Sequence, residues 1–178
     1  MNAGQVIEFW LHAGPSKWFV RDDSFDIEIR EQFGDLFEEA SNGGLKSWEE
    51  TPEGRRALIL VLDQFSRNLM RESARAFAQD DRALKTAGAA LGAGDADLLD
   101  NHGKQFLYMP YMHSEDLAAQ EKCVELFSAL GIESVTKYAI IHRDIIAEFG
   151  RFPHRNPVLG RTMTKAEQTY LDEGGFSA

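Results

Sequence analysis

The stretch that most restricts the fold is residues 51–71, "TPEGRRALILVLDQFSRNLMR". Thr51 offers a side-chain oxygen to the free N–H groups of a helix start, and Pro52 stands at the first helical position, where its missing N–H costs nothing. The run 58–62, "LILVL", is then apolar at every position, so a helix here has no polar side to turn towards water. Other elements must wrap it on most sides.

The rest of the chain supplies wrapping of the same kind. A short opening helix is expected over residues 3–11. Ser24 is expected to cap a helix running to about residue 39, with Phe25, Ile29, Phe33, Leu36 and Phe37 inward at helical spacing. "SARAFAQDDRALKTAGAALGAG" (73–94) reads as an alanine-rich helix ended by glycines. A shorter helix over about 96–108 should stop at Pro110. Ser114 is expected to cap the next, with Glu115 and Asp116 in its first turn, and Gly131 to close it. The longest runs over about 134–149, and Thr164 caps a last short one. No segment alternates apolar and polar residues between hairpin turns. The expected fold is therefore an all-α domain spanning 1–178. It has about seven to nine helices in stacked antiparallel pairs. No tetratricopeptide consensus recurs at a period near 34 residues.

Charge and cysteine content narrow the function classes. Lys and Arg number 19 against 29 Asp and Glu, a net charge of −10, which works against binding nucleic acid or an anionic membrane over a broad surface. Any anion site must be local. Cys123 is the single cysteine and shares a helical face with Phe127 and Leu130, so a core role is expected. The first residues lack a basic segment followed by an apolar one, and no apolar run approaches a membrane span. A cytoplasmic location is expected.

Against that acidic background, residues 149–161, "FGRFPHRNPVLGR", gather Arg151, His154, Arg155, Asn156 and Arg161 around two prolines. Pro153 and Pro157 stiffen the backbone, and a stiff arginine fork binds carboxylate or phosphate with two parallel bonds. The same arginines suit a second role, capping helix ends and pairing with acids. His142 interrupts the apolar face formed by Val135, Tyr138, Ala139, Ile145, Ile146 and Phe149, so a hydrogen-bonded imidazole should lie buried there. Asp63 follows "LILVL", with Arg67 one turn on, Asn68 beside it and Arg71 a further turn on. A desolvated Asp63 would need such a partner, either as a buried lock or to aim the arginine at a ligand. A third patch, "NHGKQFLYMPYMHSED" (101–116), holds Tyr108, His113 and Glu115. It reads either as aromatic filling between helices or as a source of acid/base groups. "QFSRN" (64–68) and "RFPHRN" (151–156) share an aromatic shortly before an Arg-Asn pair. No zinc, di-iron, nucleotide-loop or serine-hydrolase signature appears, so neither metal nor cofactor is expected.

Three motifs in order, "LDQFSRNLMRESARAFAQDDRAL", "FLYMPYMHSEDLAAQE" and "HRDIIAEFGRFPHRNPVLGRTMTKAEQTYL", resemble the bacterial domain-of-unknown-function 924 family over nearly the whole chain. The resemblance implies a tetratricopeptide-like α-α superhelix and brings no activity; its pattern carries a proline where this chain has Ser66. Two functions stay open. In one, Arg67, Asn68, Arg71, Arg151, Arg155, Asn156 and Arg161 bind a small anionic molecule, with His142, His113 and His154 as candidates for acid/base work and Asp63, Tyr108 and Glu115 in support. In the other, the helical array is a peptide or protein interaction module and the cluster is structural.

Overall fold

The chain's first helix, α1 (Ala3–Ala13), opens on a capping box in the computed structural model, which describes residues 1–177. Asn2 accepts the Gln5 N–H at 3.0 Å while the Gln5 side chain accepts the Asn2 N–H at 2.9 Å. The single turn α2 (Pro15–Trp18) follows, and its Trp18 indole donates to the Trp10 carbonyl. Next comes α3 (Asp23–Ser41), capped by Asp22 rather than Ser24. Both residues are good caps, but Asp22 carries the charge that the helix dipole favours, and its carboxylate accepts the Ser24 and Phe25 N–H groups.

The helix from Thr51 forms as its cap requires, with the Thr51 hydroxyl accepting the Gly54 N–H. It is less regular than expected: α4 (Pro52–Ile59) widens into a π-helical segment over Leu60–Phe65 and tightens again into α5 (Ser66–Leu69). "LILVL" is buried at all five positions. The next helix, α6 (Asp80–Gly92), starts later than expected, because "ARA" before it forms a 3₁₀ turn. Its face of Ala83, Ala87 and Ala90 is small enough to bring its backbone against α4. Then α7 (Asn101–His113) runs through Pro110 instead of stopping there. Proline removes one backbone donor but not the hydrophobic gain of the turn beyond it, where Met112 is buried.

The remaining helices are α8 (Leu117–Ala129), α9 (Glu133–Phe149) and α10 (Lys165–Asp172). Asp116, not Ser114, caps α8 by accepting the Ala119 N–H at 2.8 Å. Thr164 caps α10 in a reciprocal box with Glu167. No strand forms among the described residues, so the protein is all-α. None of these helices is long and apolar enough to cross a membrane.

The chain divides into two compact units, and the division falls within α7. The first comprises Met1–Arg71 and Arg75–Pro110; the second comprises Glu72–Ala74 and the chain from Tyr111 onwards. The first unit's core joins Val6 and Trp10 of α1, the expected face of α3, and the central helix. In the second unit α8 packs along α9, while Ile145, Ile146 and Phe152 form a small core beside Phe149, Tyr170 and Phe176. Cys123 is fully buried there, and burial pushes its thiol up to about 12, which removes it as a nucleophile.

Candidate functional site

Asp63 lies inside the π segment and is completely buried. The Gln64 amide donates to its carboxylate at 2.6 Å. Arg67, one turn on, stands 3.5 Å from the same carboxylate and donates to the Asp63 carbonyl at 2.7 Å. The other end of its guanidinium forks onto both oxygens of Asp80, each at 3.0 Å. Burial alone would lower the Arg67 pKa, and Asp63 and Asp80 together outweigh it and hold the pKa above its ordinary value. Asp26 takes the next two residues, accepting from the Asn68 amide at 2.8 Å and from the Arg71 fork. Arg67, Asn68 and Arg71 are therefore tied to carboxylates of their own unit, in the manner of a lock between helices. Tyr108 is buried in the same unit.

The basic loop belongs to the second unit. Gly150 ends α9 at φ 68°, a left-handed conformation that glycine adopts without strain. The chain then turns back through Phe152, and Pro153–Arg155 forms a 3₁₀ turn. Arg151 forks onto Glu167 at 2.5 and 2.9 Å and reaches the Thr162 carbonyl. That fork, opposed by burial and helped by Thr164 and Asn156, pulls the Glu167 carboxyl far below its ordinary range. Arg161 forks onto Glu115 at 2.7 and 3.0 Å, and Glu115 also accepts the Phe152 N–H at 2.8 Å. Burial works to raise Glu115; the Arg161 fork and that N–H prevail and lower it. These two pairs pin the loop at both ends. Asn156, wholly buried, donates to the Met163 sulfur at 3.3 Å.

Between the pins, three groups collect around one ring. The guanidinium of Arg155 lies over Phe152, 4.5 Å from its centroid, and donates to the His113 carbonyl at 3.0 Å. The His142 ring stands edge-on to Phe152 at 5.5 Å and the His154 ring lies 5.7 Å away. Phe176 closes over the two histidines at 4.5 and 5.8 Å. Nδ1 of His142 lies 2.8 Å from the Tyr138 carbonyl, which only accepts, so Nδ1 carries the proton and Nε2 keeps its lone pair. Burial, reinforced by His113, Arg155 and His154, lowers its pKa to about 4 despite the Tyr138 bond. His142 is thus neutral at pH 7. Among the described residues no group of three or more His, Cys, Asp or Glu is arranged to hold a metal ion.

The sequence shows the arginines, the buried histidine and two of the acids that answer them, Asp63 and Glu115, but not Asp26, Asp80 or Glu167. Asp95, whose carboxylate holds Arg55 at 2.7 and 2.8 Å, likewise had no signal. Asp26, Asp80, Asp95 and Glu167 pair with arginines from 13 to 45 residues away. None of the candidate site residues named from the sequence lines the cleft of about 700 Å³ in the first unit.

Comparison with known proteins agrees with this framework. A solved structure of a protein of unknown function, ATU0120 from Agrobacterium tumefaciens, superposes with a TM-score of 0.92 at 40% identity, covering 97% of each chain. No curated protein matches. The model of a bacterial family described as proteins of unknown function, DUF924, matches residues 6–175. With nearly its whole length matched, the chain belongs to the DUF924 family.

Proposed function

We propose that the second unit binds a small anionic molecule, a carboxylate or phosphate, at the cluster of His113, His142, His154 and Arg155. The observation that carries this reading is the gathering of His142, His154 and Arg155 around the single ring of Phe152. Arg151 and Arg161 are spent on Glu167 and Glu115, so their part is to hold the loop in shape. Arg155 brings a positive charge to the cluster, and His142 brings an unprotonated Nε2. An anion seated there meets a guanidinium, and its field favours the imidazolium, which prepares His142 to take a proton. Proton transfer is accordingly the chemistry this arrangement suits. The net charge of −10 supports a small molecule over a nucleic acid.

The reading is tested on the imidazole signals of the protein labelled with ¹⁵N. Addition of phosphorylated and carboxylated metabolites is expected to move the His142 ring nitrogens towards the imidazolium position and to raise the melting temperature. Arg155→Lys and His154→Ala should abolish both responses while leaving a folded protein. If no metabolite shifts the His142 signals or the melting temperature of the native protein, the cluster is a structural clamp and the proposal fails.

A further inference from the structure

The cleft of the first unit is a separate feature. Ile7 and Leu11 of α1, Leu98 and Leu99, and Leu107 of α7 give it apolar walls, and Arg56 of α4 lines it with them. Its volume of about 700 Å³ falls in the range of small-molecule sites. Leu98 is 71% exposed, so apolar surface lies open to water at this cleft.

Arg55 and Arg56 are neighbours in sequence with opposite fates. Arg55 turns inward to the Asp95 fork and also donates to the Glu49 carbonyl at 2.9 Å. Arg56 forms no hydrogen bond or ion pair among the described residues, yet it is half-buried. Burial draws its pKa below the ordinary arginine value, with Asp100 offsetting part of the effect. Asp100 is itself engaged, accepting the Gly103 N–H at 2.8 Å. Gly103 makes room for this guanidinium: a Cβ there would lie 3.2 Å from Arg56 Nη2. A guanidinium kept partly out of water with no hydrogen-bonded partner, on the wall of an apolar cleft, is what an incoming carboxylate would satisfy.

We propose that this cleft binds a small amphipathic monocarboxylate, its apolar body against the leucines and its carboxylate on the fork of Arg56. Glu8 and Glu53 also line the cleft. Glu8 and Glu53 repel a dianionic phosphate more strongly than a monocarboxylate, so a single negative charge on the fork of Arg56 is preferred. The occupant is thus distinguished from the anion of the histidine cluster both by residues and by its apolar body.

Isothermal titration of the full chain with decanoate, decyl phosphate and decanol tests the assignment. Decanoate is expected to bind, with decanol and decyl phosphate each weaker by about ten-fold or more. Arg56→Gln should weaken decanoate by a similar factor and leave decanol unchanged, and Arg56→Lys should lie between. The histidine ring signals should stay in place throughout. Absence of decanoate binding, equal binding of decanol, or undiminished binding by Arg56→Gln would each overturn the proposal. The comparison of the three ligands on the native protein decides the question even if the variants fold poorly.

Discussion

Two stretches with nearly the same letters, "QFSRN" in the first unit and "RFPHRN" in the second, use their Arg-Asn pairs differently. In the first, Arg67 closes on Asp80 with Asp63 behind it, and Asn68 shares Asp26 with Arg71. In the second, Arg155 reaches the His113 carbonyl and lies over Phe152 among histidines, while Asn156 turns to Met163 and Glu167. One stretch is built of charge pairs and the other of aromatic rings around a cation. The first stretch continues the central helix while the second follows the end of α9, so the surroundings and not the letters decide what the guanidinium is for.

Breaking the first stretch should produce the largest effect. Asp80→Ala leaves Arg67 partly buried opposite a single acid and is expected to cost about 3 kcal/mol, at the low end for a severed buried pair because Arg67 keeps some contact with water. Urea denaturation measures it, and a loss under 1 kcal/mol would mean that the pair is ornamental.

The second stretch should show itself through pH. His142 titrates at about 4 when folded against an ordinary 6.5, so the unfolded chain binds more protons between those values. Stability should therefore fall as pH drops from about 6.5 to 4, by about 2 to 3 kcal/mol from this group. Glu115 and Glu167, whose folded pKa values are lowered, stabilise above the ordinary carboxyl range and lose that contribution as pH falls further. Denaturation curves at pH 7 and 4.5 should converge in His142→Gln; an unchanged pH difference in that variant would assign the slope to another group.

The smallest effect sharpens the likeness of the two stretches. Ser66→Pro places a proline directly after the aromatic, as Pro153 follows Phe152. Ser66 sits at φ −54°, which proline accepts, but the change removes its N–H and the hydroxyl bond to the Asp63 carbonyl at 2.9 Å. These opposing terms should leave thermal stability within about 1 kcal/mol; a loss above 2 kcal/mol would show that the Ser66 bond holds the π segment.

Much of the fold was legible because its signals are local. Thr51 with Pro52, Gly150, and Thr164 with Glu167 each act within about four residues, and each behaves as its chemistry demands. Where two signals competed locally, the reading slipped. Asp22 outbid Ser24, Asp116 outbid Ser114, and burial beyond Pro110 prevailed over the proline. The π segment left no mark in the letters, because residues 57–66 are buried at every position and present no single apolar face whose phase could shift. Of the candidate site, the loop and His142 were visible as charge and as an interruption of a stripe. Of their partners only Glu115 was visible; Glu167 was not, because with 29 acids in the chain any arginine has many possible counterparts.

By itself the sequence determined that the chain is all-α, where most helices begin and end, and that a histidine is buried on the face of α9. Tertiary structure decided which acids answer which arginines, that Arg55 is locked while Arg56 lines a cleft, and that Phe152 collects the Arg155 guanidinium and the imidazoles of His142 and His154. Helix ends depend on groups already adjacent along the backbone. Charge pairing depends on distances of about 3 Å between residues tens of positions apart, which only the packed chain sets.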